Sequence, residues 1–204
     1  FETGSRACAK AGITTFYDMP NTIPTTTTLE ALIEKKKLAK EKSIVNFGFH
    51  FGGSRNNNID EIKKILENGT GNTVKIFMNV TTGEMLIEDD KILLNIVHAE
   101  NEMIDKAINI NQKYGNGLYV CHIPSKEEIS KVIEAKNNIN LNNEKHPIYA
   151  EVTPHHLFLN DEIRESNEKN KMLLRMKPEL RTEKDNEFLW EALNNGYVDT
   201  IGTD

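Results

Sequence analysis

A lysine, two histidines and an aspartate lie in four separate apolar segments of this chain. Lys75 sits in 73–78, His98 in 95–100, His122 in 118–123 and Asp204 in 198–204. Imidazole and carboxylate are suitable zinc ligands, at about 2.0–2.2 Å. Lys75 is flanked by Val74, Ile76 and Phe77, a strand setting whose neighbours are buried. An ammonium there needs a partner or a chemical change. Reaction with carbon dioxide is one such change: the carbamate is a bidentate oxygen ligand that suits two metals about 3.5–4 Å apart. A single histidine after an apolar strand is more often a core or loop residue than a ligand. The weight rests on the ordered set.

Four strand-like segments bring such residues together only if the strands lie side by side with one common end. A parallel barrel does this and places its chemistry at the carboxyl ends of its strands. The rest of the chain has the alternation that a barrel needs. Ile13–Tyr17 reads as a strand, followed by a Pro- and Thr-rich loop from Met19 to Thr28 and a helix from Leu29 to about Lys42 with Thr28 as N-cap. Ile44–Phe51 alternates at period two, as a strand does, and Ile59–Asn68 has helical spacing. Strands are expected at Val74–Met78, Asn95–Ala99, Leu118–His122, Ile148–Val152 and Tyr197–Ile201, with helices at Glu102–Tyr114, Lys126–Ala135 and Lys184–Asn194. Ser125 and Glu128 have capping-box spacing. The Asn-rich stretches 56–58 and 137–143 read as exposed loops or frayed helix ends.

Strand–helix alternation predicts parallel strands with right-handed crossovers. The fold class is therefore α/β, a (β/α)8 TIM barrel of which residues 1–204 hold about seven of the eight units in one domain. The chain starts at Phe1 and stops at Asp204 on a strand tip, and both ends read as cuts within a larger protein.

Composition narrows the class further. The chain has 204 residues, 38% hydrophobic and 27% charged, with a formal net charge of −6 and no basic stripe, which argues against a nucleic-acid surface. The Glu34–Lys37 cluster with Lys40 reads as the solvated face of a helix. No apolar run nears the ~18 residues of a membrane span, and no signal peptide is visible. Cys8 and Cys121, the two cysteines, sit in apolar surroundings and fit a reducing, cytoplasmic compartment.

The segment Phe1–Thr22, which contains Asp18-Met-Pro-Asn-Thr22, closely resembles the second barrel unit of dihydroorotases, members of the amidohydrolase superfamily with hydantoinases and allantoinases. The resemblance continues through Val74–Met78, Val97–Asn101, Cys121–Ser125, Glu151–Leu157, Lys177–Arg181, Gly196–Asp199 and Ile201–Asp204. Each motif is weak alone; the ordered set spans essentially the whole chain.

The resemblance implies a metal-dependent cyclic amidohydrolase that interconverts N-carbamoyl-L-aspartate and dihydroorotate in pyrimidine (UMP) biosynthesis. It implies two zinc ions per active site, bridged by carboxylated Lys75. His98 and His122 are similar to the ligands of the second metal. Asp204 is similar to the carboxylate that binds the first metal and shuttles the proton, and Asn21 to the asparagine that contacts the substrate carboxylate. The implied partner is a small-molecule substrate, with homo-oligomerisation or association with other pyrimidine-pathway enzymes open.

Some residues keep alternative readings. One of His155 and His156, taken as adjacent strand residues facing opposite ways, could play a supporting or substrate role. His50 reads as a barrel-lining structural residue and His146 as an exposed loop residue. Arg181 fits an anionic substrate, a helix entry or a surface ion pair equally.

The chain also departs from the family pattern. The first strand's His-x-His and its following Arg are absent, as is the His-Ala-Pro after the last Asp. The 204-residue piece alone is therefore expected to be inactive. Lys177-Pro-Glu179 stands where many relatives carry Asn-Pro-Pro, and Thr81–Glu84 favours the lysine-bridged type over an aspartate-bridged one. Allantoinase, hydantoinase or dihydropyrimidinase activity, or a non-catalytic scaffold role, are the alternatives.

Overall fold

The computed structural model describes residues 1–54, 59–67, 73–78, 96–114, 117–142 and 146–204. The Asn56–Asn58 and Thr81–Glu84 stretches lie outside them. The chain divides into two compact units, Phe1–Ile92 and Leu93–Asp204.

The first unit holds α1 (Glu2–Lys10), β1 (Thr15–Asp18), α2 (Leu29–Lys42), β2 (Asn46–Gly52), α3 (Ile59–Glu67) and β3 (Thr73–Phe77). β1 runs parallel to β2 with Asp18 opposite Phe49, and β2 parallel to β3 with Gly52 opposite Lys75. Leu32 and Ala39 of α2, Phe49 and Phe51 of β2 and Ile65 of α3 form its core. α2 begins as its sequence predicts: the Thr28 hydroxyl accepts the Ala31 N–H at 3.2 Å. A second free donor of that first turn, the Leu29 N–H, reaches Glu61 of α3 at 2.9 Å.

The second unit holds β4 (Ile96–His98), α4 (Glu102–Tyr114), β5 (Leu118–Val120), α5 (Lys126–Asn142), β6 (Ile148–Val152), α6 (Pro154–Phe158), α7 (Asp161–Glu165), α8 (Glu168–Leu173), α9 (Glu183–Asn194) and β7 (Thr200–Ile201). β4 to β7 are parallel, each paired with the next: Val97 lies opposite Val120, Leu118 opposite Ile148 and Val152 opposite Ile201. All three β4 residues are buried, as expected for a parallel strand covered on both faces. α9 opens with a capping box between Thr182 and Asp185, and the Asp185 carboxylate also accepts the Lys126 N–H of α5 at 2.9 Å.

Several expectations need correction. α5 runs on through Asn137–Asn142 instead of ending near Ala135. Asparagine costs a helix only about 0.7 kcal/mol relative to alanine, and a helix already nucleated by buried Ile129, Val132 and Ala135 propagates through it. The Ser125–Glu128 box is only half formed. Ser125 Oγ accepts the Glu128 N–H at 3.2 Å, but the buried Glu128 carboxylate reaches across to the Asn101 N–H at 2.8 Å. Asn101 takes a φ of +56°, and this bond holds it at the entry to α4. Cys8 is half-buried, Cys121 is buried, and neither is in a disulfide. Among the described residues no helix is long and apolar enough to cross a membrane.

Candidate functional site

His98 is the last residue of β4, and His122 lies two residues beyond the end of β5. Both are buried, at 2% and 3% exposure. His98 Nδ1 stands 2.8 Å from His122 Nε2, with ring centroids 4.6 Å apart and planes at 67°. His98 Nε2 lies 3.2 Å from Glu100 Oε1. That bond is the chief reason the Glu100 carboxyl ionises below its ordinary range; nearby Lys177 and Arg181 add to the effect against the opposing influence of burial. Arg181 Nη2 lies 3.9 Å from Glu100 Oε2, and Arg181 directly precedes Thr182, the N-cap of α9.

His122 has a φ of +39°, a conformation that non-glycine residues adopt only when something enforces it. Glu151 is placed to do so, because its Oε1 accepts the His122 N–H at 2.9 Å. Its Oε2 accepts the Tyr119 hydroxyl at 2.7 Å, and that hydroxyl is 2.6 Å from Thr200 Oγ1. Gly202 packs so closely that a Cβ there would lie 2.3 Å from Glu151 Oε2. The carboxylate of Glu151 on β6 thus holds Tyr119 of β5 and the His122 backbone, Tyr119 carries the link on to Thr200 of β7, and Gly202, two residues before Asp204, packs against it. Glu151 opens the sequence motif 151–157, which by itself assigns it no role. The sequence signal for that role is Gly202, two residues before Asp204.

Replacing Glu151 with Ala leaves the His122 N–H and the Tyr119 hydroxyl without this acceptor. The expected cost is about 1–3 kcal/mol for each, read as a lowered urea midpoint with unchanged slope.

His155 and His156 are not strand residues. They lie on α6, whose N-cap is Thr153 and whose first position is Pro154. His156 is buried and uses both ring nitrogens in the fold. Nδ1 lies 2.7 Å from Thr153 Oγ1 and Nε2 3.2 Å from the Pro178 carbonyl. Burial is the main reason its pKa falls to about 4. The unfolded imidazole, near 6.5, binds a proton that the native one refuses. This contribution to stability is therefore complete above pH 6.5 and is lost as pH falls toward 4, by about 3 kcal/mol. Denaturant midpoints across that range should fall, and His156→Gln should flatten the fall. His155 is half-buried, its ring 4.5 Å from that of His156, and the charge of Asp204 partly offsets the lowering of its pKa by burial. Of the two histidines, His155 is the one whose pKa the charge of Asp204 raises. His146 is half-buried rather than exposed, and its carbonyl accepts Asn111 Nδ2 at 3.1 Å.

In the first unit Lys75 is 1% exposed, its Nζ 5.2 Å from the Phe77 ring centroid. It lies within β3, not at the strand end. His50 stacks on Tyr17 at 5.4 Å and its Nδ1 lies 2.7 Å from Thr73 Oγ1. Burial, then the charge of Lys75, lowers its pKa to about 4, in keeping with the structural reading. Asn21 lies half-buried in the loop after β1.

Among the described residues no group of three His, Cys, Asp or Glu side chains is set to hold a metal ion. The two imidazoles nevertheless fit part of a zinc site. On a tetrahedral ion at 2.0–2.1 Å their nitrogens would stand about 3.3 Å apart, so the rings need to part by only about half an ångström.

No protein-family model matches the chain. A dihydroorotase of Pyrococcus abyssi is 34% identical over 218 residues, 95% of this chain and 48% of that protein. The chain is thus similar to the dihydroorotase–hydantoinase family. Within this family, an L-hydantoinase of Paenarthrobacter aurescens is 27% identical over 100% of the chain and 52% of its own length. The solved L-hydantoinase (dihydropyrimidinase) of Arthrobacter aurescens superposes with a TM-score of 0.85 at 25% identity, over 100% of this chain and 53% of that one. The family's α/β fold, a TIM barrel, accounts for the seven parallel strands with helices between them. The chain spans about half the length of the relatives it matches.

Proposed function

We propose that the protein containing this chain is a zinc-dependent cyclic amidohydrolase, a dihydroorotase that interconverts N-carbamoyl-L-aspartate and dihydroorotate in pyrimidine synthesis. The observation that carries the reading is the buried imidazole pair, His98 and His122, with nitrogens 2.8 Å apart at the carboxyl ends of two adjacent parallel strands. Active sites of such barrels are built at that end. His98, His122, Lys75 as a carbamate and Asp204 are the residues that would hold two zinc ions. When bound, the metals supply Lewis acidity and a water of lowered pKa. Asp204 then takes the proton of the attacking water and returns it to the leaving ring nitrogen, as general base and then general acid. Glu151 holds the His122 backbone, and the Asn21 amide hydrogen-bonds the substrate's exocyclic carboxylate. A cytoplasmic setting suits the two cysteines outside disulfides.

Hydantoinase or allantoinase activity is the second reading, favoured by the L-hydantoinase match and by Lys177-Pro-Glu179. Turnover of dihydroorotate, allantoin and hydantoin by the full-length protein, with zinc and bicarbonate, decides between them. Preference for dihydroorotate is expected, and hydantoin preference would overturn the leading reading. Absence of all three activities with no bound zinc would favour a scaffold.

A further inference from the structure

The sequence places Lys35 with its lysine neighbours on a solvated helix face, and the structure corrects this. Lys37 and Lys40 are exposed, but the Lys35 side chain is only 10% exposed. An ammonium has three donors, and three oxygens of one loop take them. These are the Met19 carbonyl at 2.7 Å, Thr26 Oγ1 at 3.0 Å and Thr22 Oγ1 at 3.1 Å. Asp18 Oδ2 stands 2.5 Å away as counter-charge, and the Phe49 ring centroid lies 5.9 Å from Nζ. A cation withdrawn from water is tolerated only with its charge and donors matched. Here the end of β1 and the loop after it match all of them.

The same loop closes on itself around Asn21. The Thr26 N–H donates to the Pro20 carbonyl at 2.8 Å, and the Thr22 hydroxyl donates to the Pro24 carbonyl at 2.9 Å. At its far end the Gly52 N–H, from the tip of β2, donates to the Thr26 carbonyl at 2.8 Å. Both neighbours of Asn21 are thus held, and Thr22 on one side is held by Lys35 directly. Ile23, by contrast, is fully exposed.

We propose that Lys35 is a positioning residue that fixes the β1–α2 loop and so presents the Asn21 amide to cyclic amides carrying an exocyclic carboxylate. The inference rests on the reading of Asn21 given above. A preformed hydrogen-bond donor spares the ordering cost of binding, so loss of the pin should weaken carboxylate substrates more than neutral ones.

The test uses the full-length zinc-loaded protein. Lys35→Met removes the charge and the donors and keeps the apolar stem. KM for dihydroorotate should rise about tenfold or more, with kcat and zinc content changed less than about threefold. KM for hydantoin, which lacks the carboxylate, should change less than about threefold. Amide exchange over residues 19–28 should accelerate about tenfold while that over 126–135 stays constant. Thr22→Val, a milder change that removes one acceptor, should move each readout the same way by less and covers the case in which Lys35→Met does not fold.

Unchanged exchange in the loop overturns the proposal, because the pin then holds nothing. Faster exchange with both KM values unchanged also overturns it, since Lys35 would then be structural only. The functional reading has its own controls. A wild-type protein that fails to turn over dihydroorotate, or an Asn21→Ala variant with unaltered KM for it, overturns that reading before Lys35 is considered. If Asn21→Ala raises KM and Lys35→Met does not, Asn21 keeps its role and the Lys35 proposal alone falls.

Discussion

Replacing His122 with Ala in the full-length protein is expected to abolish zinc binding at the histidine position and to lower kcat/KM by about 10³-fold or more, roughly 4 kcal/mol of transition-state stabilisation. The imidazole is buried at 3% exposure with its Nε2 already 2.8 Å from His98, so the pair is held together away from solvent. Removing it takes away one of the two imidazoles, and one imidazole is a poor zinc site at neutral pH. Partners that only orient a ligand cost about 10–100-fold when removed, so loss of the ligand itself should exceed that. Two measurements check this together: zinc per chain by elemental analysis, and turnover of dihydroorotate. His156→Gln is the matched control. His156 is as deeply buried, but both its ring nitrogens face Thr153 and Pro178, so zinc content should not change. A His122→Ala protein with full zinc and full turnover would remove the metal reading of this pair.

The contrast between His122 and His156 also shows what the chain's own residues reveal and what they hide. Strands with β-branched and apolar runs were legible because parallel strands buried on both faces read as continuous hydrophobic segments. The positions of His98 and His122 followed, since each lies at or just past the end of such a run. α6 was missed although Thr153-Pro154 carries a start signal, an N-cap hydroxyl with proline at the first helical position. Lys35 could not be told from Lys37 by spacing, because both fall on a helix and differ only in what the loop after β1 offers them. Glu151 was opaque for a similar reason. Its partners Tyr119, His122 and Gly202 are 32, 29 and 51 residues away in sequence, and no local period carries that information. Positions set by one element were readable, whereas positions set by contact between distant loops were not.

Asp204→Asn is expected to lower kcat by about 10³–10⁴-fold while zinc stays bound at His98 and His122 and KM changes little. Asparagine is the informative replacement for a backbone reason. Asp204 has a φ of +54°, a left-handed conformation that asparagine accepts nearly as well as aspartate and that alanine resists. The substitution therefore keeps the loop and the side-chain shape and removes only the ability to take up and return a proton. His155 supplies a second, independent readout. The Asp204 carboxylate raises the His155 pKa against the lowering by burial, so deleting the negative charge should move the titration of His155 further down. The sign is fixed by electrostatics: an anion nearby favours imidazolium, and its loss disfavours it. Measured by NMR on the zinc-free protein, a His155 midpoint that does not fall would mean that Asp204 does not face this histidine. Unchanged kcat would mean that the proton is carried by another group. A large loss of kcat with the His155 midpoint lowered and zinc retained would identify the carboxylate's role as proton transfer, because the loop and the metal position are both preserved in the variant.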